Sequence, residues 1–128
     1  NINQVISVLS LPTVAELLKY VNQKRETRAI GHYLITVALP SYLNPDILGA
    51  DFFNKEFAEI LALMPELTWQ QREIKQYMLG VQAQINNSQR NTAELNKLRL
   101  YLDEIDRRRN VNWRTTFPWL VKEIEDVV

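Results

Sequence analysis

Cysteine is absent from this sequence. Its absence removes disulfides, a thiolate nucleophile, a thiolate zinc site and any iron–sulfur cluster held by the segment itself. It fits a reducing compartment, so a cytoplasmic location is expected. Histidine occurs once and glycine three times. No glycine-rich phosphate loop and no serine-nucleophile motif is present. An excess of charge is missing too. Fifteen basic side chains offset fifteen acidic ones, so the net charge gives no pull toward nucleic acid or an anionic membrane. The longest uncharged stretch, Ala29 to Pro45, is broken by His32 and by prolines, and its apolar run is too short to span a bilayer. The N-terminus has no basic region ahead of an apolar one, so no signal peptide is expected. The chain starts at Asn1 rather than Met and is read as a processed product or a piece of something longer.

What is present is the balance of a folded protein. Apolar residues make up 46% and charged residues 23%, which argues against disorder. A chain of 128 residues is one domain's worth and can bury roughly two thirds of its unfolded surface.

The run Gln4 to Leu9 is β-branched and short, and reads as a strand. Thr13 with Glu16 is a capping-box pair, and Val14, Leu17, Leu18 and Val21 share one helical face, so a helix is expected from about Val14 to Glu26. Lys24 to Arg28 is its solvated end, where cations suit the helix dipole. Ile30 to Leu39 is nearly unbroken apolar and closes at Pro40, which favours a buried strand. Strand, helix and strand in this order make a βαβ unit. Such a unit needs parallel neighbours and cover on both faces, and no third strand is visible. The rest of the sheet is therefore expected to lie elsewhere.

Beyond this unit, spanning residues 1–45, residues 46–128 read as helical, the two parts together forming one compact unit. Ser41 to Gly49 is a turn-rich connector with a helical turn begun by Pro45. Asp51 is placed as the cap of a helix carrying Phe53, Phe57, Ile60, Leu61 and Met64 inward and ended by Pro65. Thr68 with Gln71 opens a helix striped by Ile74, Met78, Val81 and Ile85. Asn91 with Glu94 opens another, striped by Leu95, Leu98, Leu102 and Ile105. Two such stripes joined by the polar loop Asn86 to Arg90 predict an antiparallel helical hairpin. Pro118 suits the first position of a last helix running to about Asp126. The fold class is mostly α, with a short N-terminal βαβ unit of the kind that ends a partial α/β barrel, followed by a helical hairpin region. An all-α bundle is the alternative.

Few constellations carry chemistry. His32 could act as a base or ligand, but no second ligand sits at metal spacing, so a structural or solvent-facing role is expected. Arg107, Arg108 and Arg109 could touch phosphate, but Asp103, Glu104 and Asp106 lie within a turn, and ion pairing is the simpler account. Glu56, Glu59, Glu66 and Glu73 lack the Glu-x-x-His pattern of a di-metal bundle and read as surface charges. Trp69, Trp113 and Trp119 are anchors, expected in the core.

The segment Leu102 to Leu120 resembles the closing segment of the twitch-type radical S-adenosylmethionine proteins. Asp106, Arg109, Asn110, Asn112, Phe117, Pro118 and Leu120 keep that family's spacing. The run Pro40 to Leu48 is similar to the exit from the family's partial barrel. Trp119 stands where the family often has an acidic residue, and Asn110 where glycine is common. The family's three-cysteine cluster loop is missing. The resemblance implies the barrel-closing C-terminal part of such an enzyme, with no catalytic residue and no assigned cofactor contact or metal ligand. S-adenosylmethionine and a four-iron cluster are implied only where the rest of a radical enzyme is present. Asp106 and Arg109, one helical turn apart, are implied to be a structural pair holding the final turn. The expected partner is the remainder of a longer chain, or another protein, and neither nucleic acid nor membrane. The competing expectation is a small helical interaction or adaptor module with no catalytic activity.

Overall fold

A computed structural model describes residues 2–26 and 32–125. Strand β1 (Ile2–Ile6) and strand β2 (His32–Thr36) pair in parallel, Ile2 opposite His32 and Ile6 opposite Thr36. The ladder runs one residue further, with the Val37 amide donating to the Ile6 carbonyl at 2.9 Å. β1 stops before Leu9 because Ser7 and Ser10 fold the chain over. The Ser7 amide donates to Ser10 Oγ at 2.9 Å, and that hydroxyl donates to the Val5 carbonyl at 2.9 Å. Serine hydroxyls here compete with the ladder for the backbone. The expected second strand is shorter than Ile30 to Leu39. Ile30 and Gly31 lie outside the described residues, as do Thr27 and Arg28, and β2 ends at Thr36.

Helix α1 (Val14–Arg25) joins the two strands and completes the βαβ unit. It buries Val14, Ala15, Leu18 and Val21. The capping box read from Thr13 and Glu16 does not form. Thr13 ends a 3₁₀ turn over Leu11–Thr13, has φ −100° and ψ −3°, and its hydroxyl donates to the Ser10 carbonyl at 2.8 Å. A capping residue needs an extended backbone to swing its oxygen over the first amides. Thr68 has that backbone, with φ −106° and ψ 160°. Its hydroxyl accepts from the Gln71 amide at 3.1 Å, and Gln71 Oε1 accepts from the Thr68 amide at 3.0 Å.

The connector after β2 contains two 3₁₀ turns, Ser41–Leu43 and Pro45–Leu48. Helix α2 (Asn54–Leu63) follows. Asp51 is not its cap: it sits at φ 71°, and its carboxylate accepts from the Asn54 side-chain amide at 3.1 Å. Phe53, Phe57, Ile60 and Met64 are buried and Leu61 is half-buried. Helices α3 (Trp69–Asn86) and α4 (Thr92–Arg109) bury the centres of their expected stripes: Met78, Val81 and Ile85 on one, Leu95, Leu98 and Leu102 on the other. Asn91 accepts from the Glu94 amide at 3.1 Å. The return arm of that box is missing, since the Glu94 carboxylate binds Ser41 and Lys97 instead. Two short helices finish the described chain, α5 (Trp113–Thr116) and α6 (Pro118–Glu125), with Pro118 in the first position as read. Asp126 lies outside the described residues.

The expected side-by-side hairpin of α3 and α4 is not seen, since the two helices make few direct backbone contacts; one segment instead seats the loop between them against the rest. The Asn91 amide donates to the Ile47 carbonyl at 2.9 Å, and the Ala50 amide to the Ser88 carbonyl at 3.1 Å. Residues 47–50 therefore lie against the loop between α3 and α4. The closest backbone neighbours of α4 include the two 3₁₀ turns, and those of α3 include β2 and α2. The two long helices thus reach each other mainly through the buried cluster they share with Ile6, Leu34 and Phe57.

Gly49 makes this seating possible. It has φ +83°, and a Cβ there would come within 2.7 Å of the Arg90 amide nitrogen. Gly49→Ala is expected to destabilise the protein by roughly 1 kcal/mol or more. Gly80→Ala, where an added Cβ meets nothing within 4 Å, is expected to stabilise it by about 0.5–1 kcal/mol. Urea melts of both variants check the pair.

Candidate functional site

Side chains alternate across a strand. Ile6, His32 and Leu34 point into the molecule and are buried. Asn3, Val5, Tyr33 and Ile35 point outward. Val5 is 54% exposed, Tyr33 44% and Ile35 59%, although parallel strands ordinarily bury both faces. In the register observed, Val5 lies opposite Ile35 and Asn3 opposite Tyr33, so the exposed apolar side chains form one continuous patch.

Beside this patch runs α3. Its exposed face carries Trp69, Glu73 and Tyr77, spaced four residues apart and set to one side of the buried Met78, Val81 and Ile85 stripe. The Tyr77 hydroxyl pins the helix to the strand: it accepts from the Thr36 amide at 2.9 Å and donates to Thr36 Oγ1 at 2.9 Å. Between helix and strand opens a cleft of about 290 Å³, lined by Tyr33, Leu34, Trp69, Gln70, Glu73, Ile74 and Tyr77. Trp69 is 64% exposed, which corrects its expected place in the core. Trp113 does lie in the core, and Trp119 is half-buried against Phe52, Phe53 and Phe117.

His32 takes no part in that cleft. It is buried at 4% exposure, with Nε2 3.2 Å from Gln4 Oε1. Beside it is a cavity of about 10 Å³, room for one water at most. Burial, and then the nearby Arg25 guanidinium, push its pKa below the ordinary 6.5. Among the described residues no group of three or more His, Asp or Glu could hold a metal ion.

The C-terminal residues are occupied with local structure. Both Asp106 oxygens accept from the Trp113 amide, at 3.0 and 3.1 Å. Trp113 Nε1 donates to Asp103 at 2.8 Å. Asn110 ends α4 in the left-handed region at φ 51°, and Asn112 caps α5 by accepting from the Arg114 amide at 3.0 Å. Leu120 is fully buried. Asp106 and Arg109 do not meet as an ion pair. Arg107 and Arg108 both bind Glu104, at 2.6 and 2.8 Å, and they hold its carboxyl down to about 2. Ion pairing at helical spacing therefore accounts for two of the three arginines.

The grouping of Tyr33, Trp69 and Tyr77 was missed from sequence. A signal existed in the spacing of Trp69, Glu73 and Tyr77 along α3, which does not belong to the apolar stripe; only the fold brings Tyr33 to the same place. No helix among the described residues is long and apolar enough to cross a membrane. No protein-family model, curated protein or solved structure matches this chain.

The pKa of His32 has a consequence for stability. Its folded value is lowered, so the unfolded chain binds the proton more tightly. The stability that a neutral His32 contributes is complete above pH 6.5 and is lost as pH falls toward the lowered folded value. His32→Gln is expected to remove this part of the slope, and urea midpoints of both proteins between about pH 5 and 8 measure it.

Proposed function

We propose that this chain is a structural closing piece of a larger parallel α/β sheet, and that its outward strand face docks against the remainder of a longer chain or a partner protein. The observation that carries the reading is the bare patch of Val5, Tyr33 and Ile35 on a parallel pair. Leaving such apolar area in water forgoes about 25 cal/mol per Å² that a neighbour would recover. A larger assembly would recover it.

The larger protein we assign, by resemblance, to the radical S-adenosylmethionine type. The βαβ unit ahead of a helical region supports that assignment. The residues present do not fit the family's cluster: its irons require thiolates, and this sequence has none. The segment's own contribution is therefore closure and support, with no chemical step assigned to it. The cytoplasm is the proposed location, consistent with cysteine-free composition. A helical interaction module with no catalytic activity is the second reading, favoured by the exposed aromatic cleft on α3.

Two measurements test this. The intact mass and sequence of the natural polypeptide are expected to reveal upstream residues with a CxxxCxxC run. A natural start at Asn1 or at a Met just before it, with no cluster loop, overturns the enzymatic assignment. Separately, Val5→Glu with Ile35→Glu is expected to change the stability of the isolated chain by no more than about 0.5 kcal/mol per site, while disrupting docking in the complete protein. An unchanged assembly, read by limited proteolysis of the complete protein, contradicts the docking face.

A further inference from the structure

We propose that the cleft formed by Tyr33, Trp69 and Tyr77, with Glu73 at its wall, binds a methylated ammonium cation. Aromatic faces attract cations through the ring quadrupole, and quaternary ammonium groups are the cations best suited to such a cage. Here Trp69 and Tyr77 come from one helix face and Tyr33 from the facing strand, all lining one space of about 290 Å³. That volume lies at the low end of small-molecule sites, suited to a headgroup rather than a large ligand. None of the three rings packs against another. Their faces are not used up by one another.

The charge of the cleft points the same way. Glu73 has no hydrogen bond or ion pair among the described residues. The neighbouring cations of α3 are engaged elsewhere: Lys75 pairs with Glu66 at 3.1 Å, and Arg72 donates to the Glu66 and Leu67 carbonyls at 3.2 and 3.4 Å. Leu34 and Ile74 complete the walls with apolar surface. A bare ammonium is strongly hydrated and loses water at a cost in such a setting, whereas methyl groups match apolar walls. The Tyr77 hydroxyl is fixed by Thr36, so one wall is preformed. The cation could be a free quaternary amine or the methylated lysine side chain of a peptide; the chemistry at the cage is the same.

The test uses the 128-residue chain and follows the Trp69 indole N–H resonance, assigned by its loss in Trp69→Phe. Tetramethylammonium and choline are expected to shift it saturably, and 3,3-dimethylbutanol, the neutral isostere of choline, is not. Trp69→Ala and Glu73→Gln, both at exposed positions, are expected to weaken binding by roughly 5- to 30-fold each, with unchanged melting midpoints. For Trp69→Ala the Tyr33 and Tyr77 ring resonances serve as the readout. A trimethyllysine peptide that binds more tightly than choline identifies the peptide source, and the reverse order identifies the free amine. An equal response to the neutral alcohol, a linear response to the cations, or full binding by Glu73→Gln overturns the proposal. Tyr33 belongs to both the docking patch and the cleft, but Val5 and Ile35 do not line the cleft and Trp69 and Glu73 are not in the patch, so each pair of substitutions tests one site alone.

Discussion

A parallel strand pair has two faces to cover, and this chain covers one. The inward face, through Ile6 and Leu34, joins a buried cluster that also takes in Leu18, Phe57, Met64, Met78 and Leu98. The outward face has Val5, Tyr33 and Ile35 with nothing described over them. The asymmetry organises the molecule. α1 crosses between the strands, α3 is pinned along β2 by the Tyr77–Thr36 contact, and α4 to α6 complete the same core. Among the described residues, the outer face of the sheet and the free edge of β1 are left to a neighbour.

Sequence pattern revealed the elements better than their joints. Periodic stripes such as Met78, Val81 and Ile85, or Leu95, Leu98 and Leu102, report burial directly, because packing of a helix face is what makes them periodic. Capping pairs are less reliable. Thr13 and Thr68 stand in the same sequence pattern, yet only Thr68 has the extended backbone that lets its hydroxyl reach the third amide. Ser7 to Ser10 shows the same limit from the other side: a β-branched run was cut short by hydroxyls that take backbone partners of their own. Trp69 was expected in the core because bulk and aromaticity suggest one, and only its position beside the stripe tells otherwise.

The segment from Leu102 to Leu120 has a physical account of its own. Asp106 holds the Trp113 amide, Asn110 turns the chain in the left-handed region, Asn112 caps the next helix and Pro118 starts the last one. Together these side chains stop one helix and start two more within a few residues. Any chain making the same joint would favour asparagine, aspartate and proline at such positions. The spacing that suggested a likeness to radical S-adenosylmethionine proteins is therefore what this joint asks for in any chain. Arg109, which that likeness pairs with Asp106, is exposed and has no partner among the described residues.

In parallel pairing, successive residues of a strand direct their amides to opposite sides. With the Val37 amide on the Ile6 carbonyl, the amides of Gln4 and Ile6 face β2 and those of Asn3 and Val5 face the open edge. Amide hydrogen exchange on the isolated chain tests the incompleteness of the sheet most directly. Gln4 and Ile6 should be protected while Asn3 and Val5 exchange close to the unprotected rate. Equal protection of all four would mean that the edge is already covered, and would contradict the account.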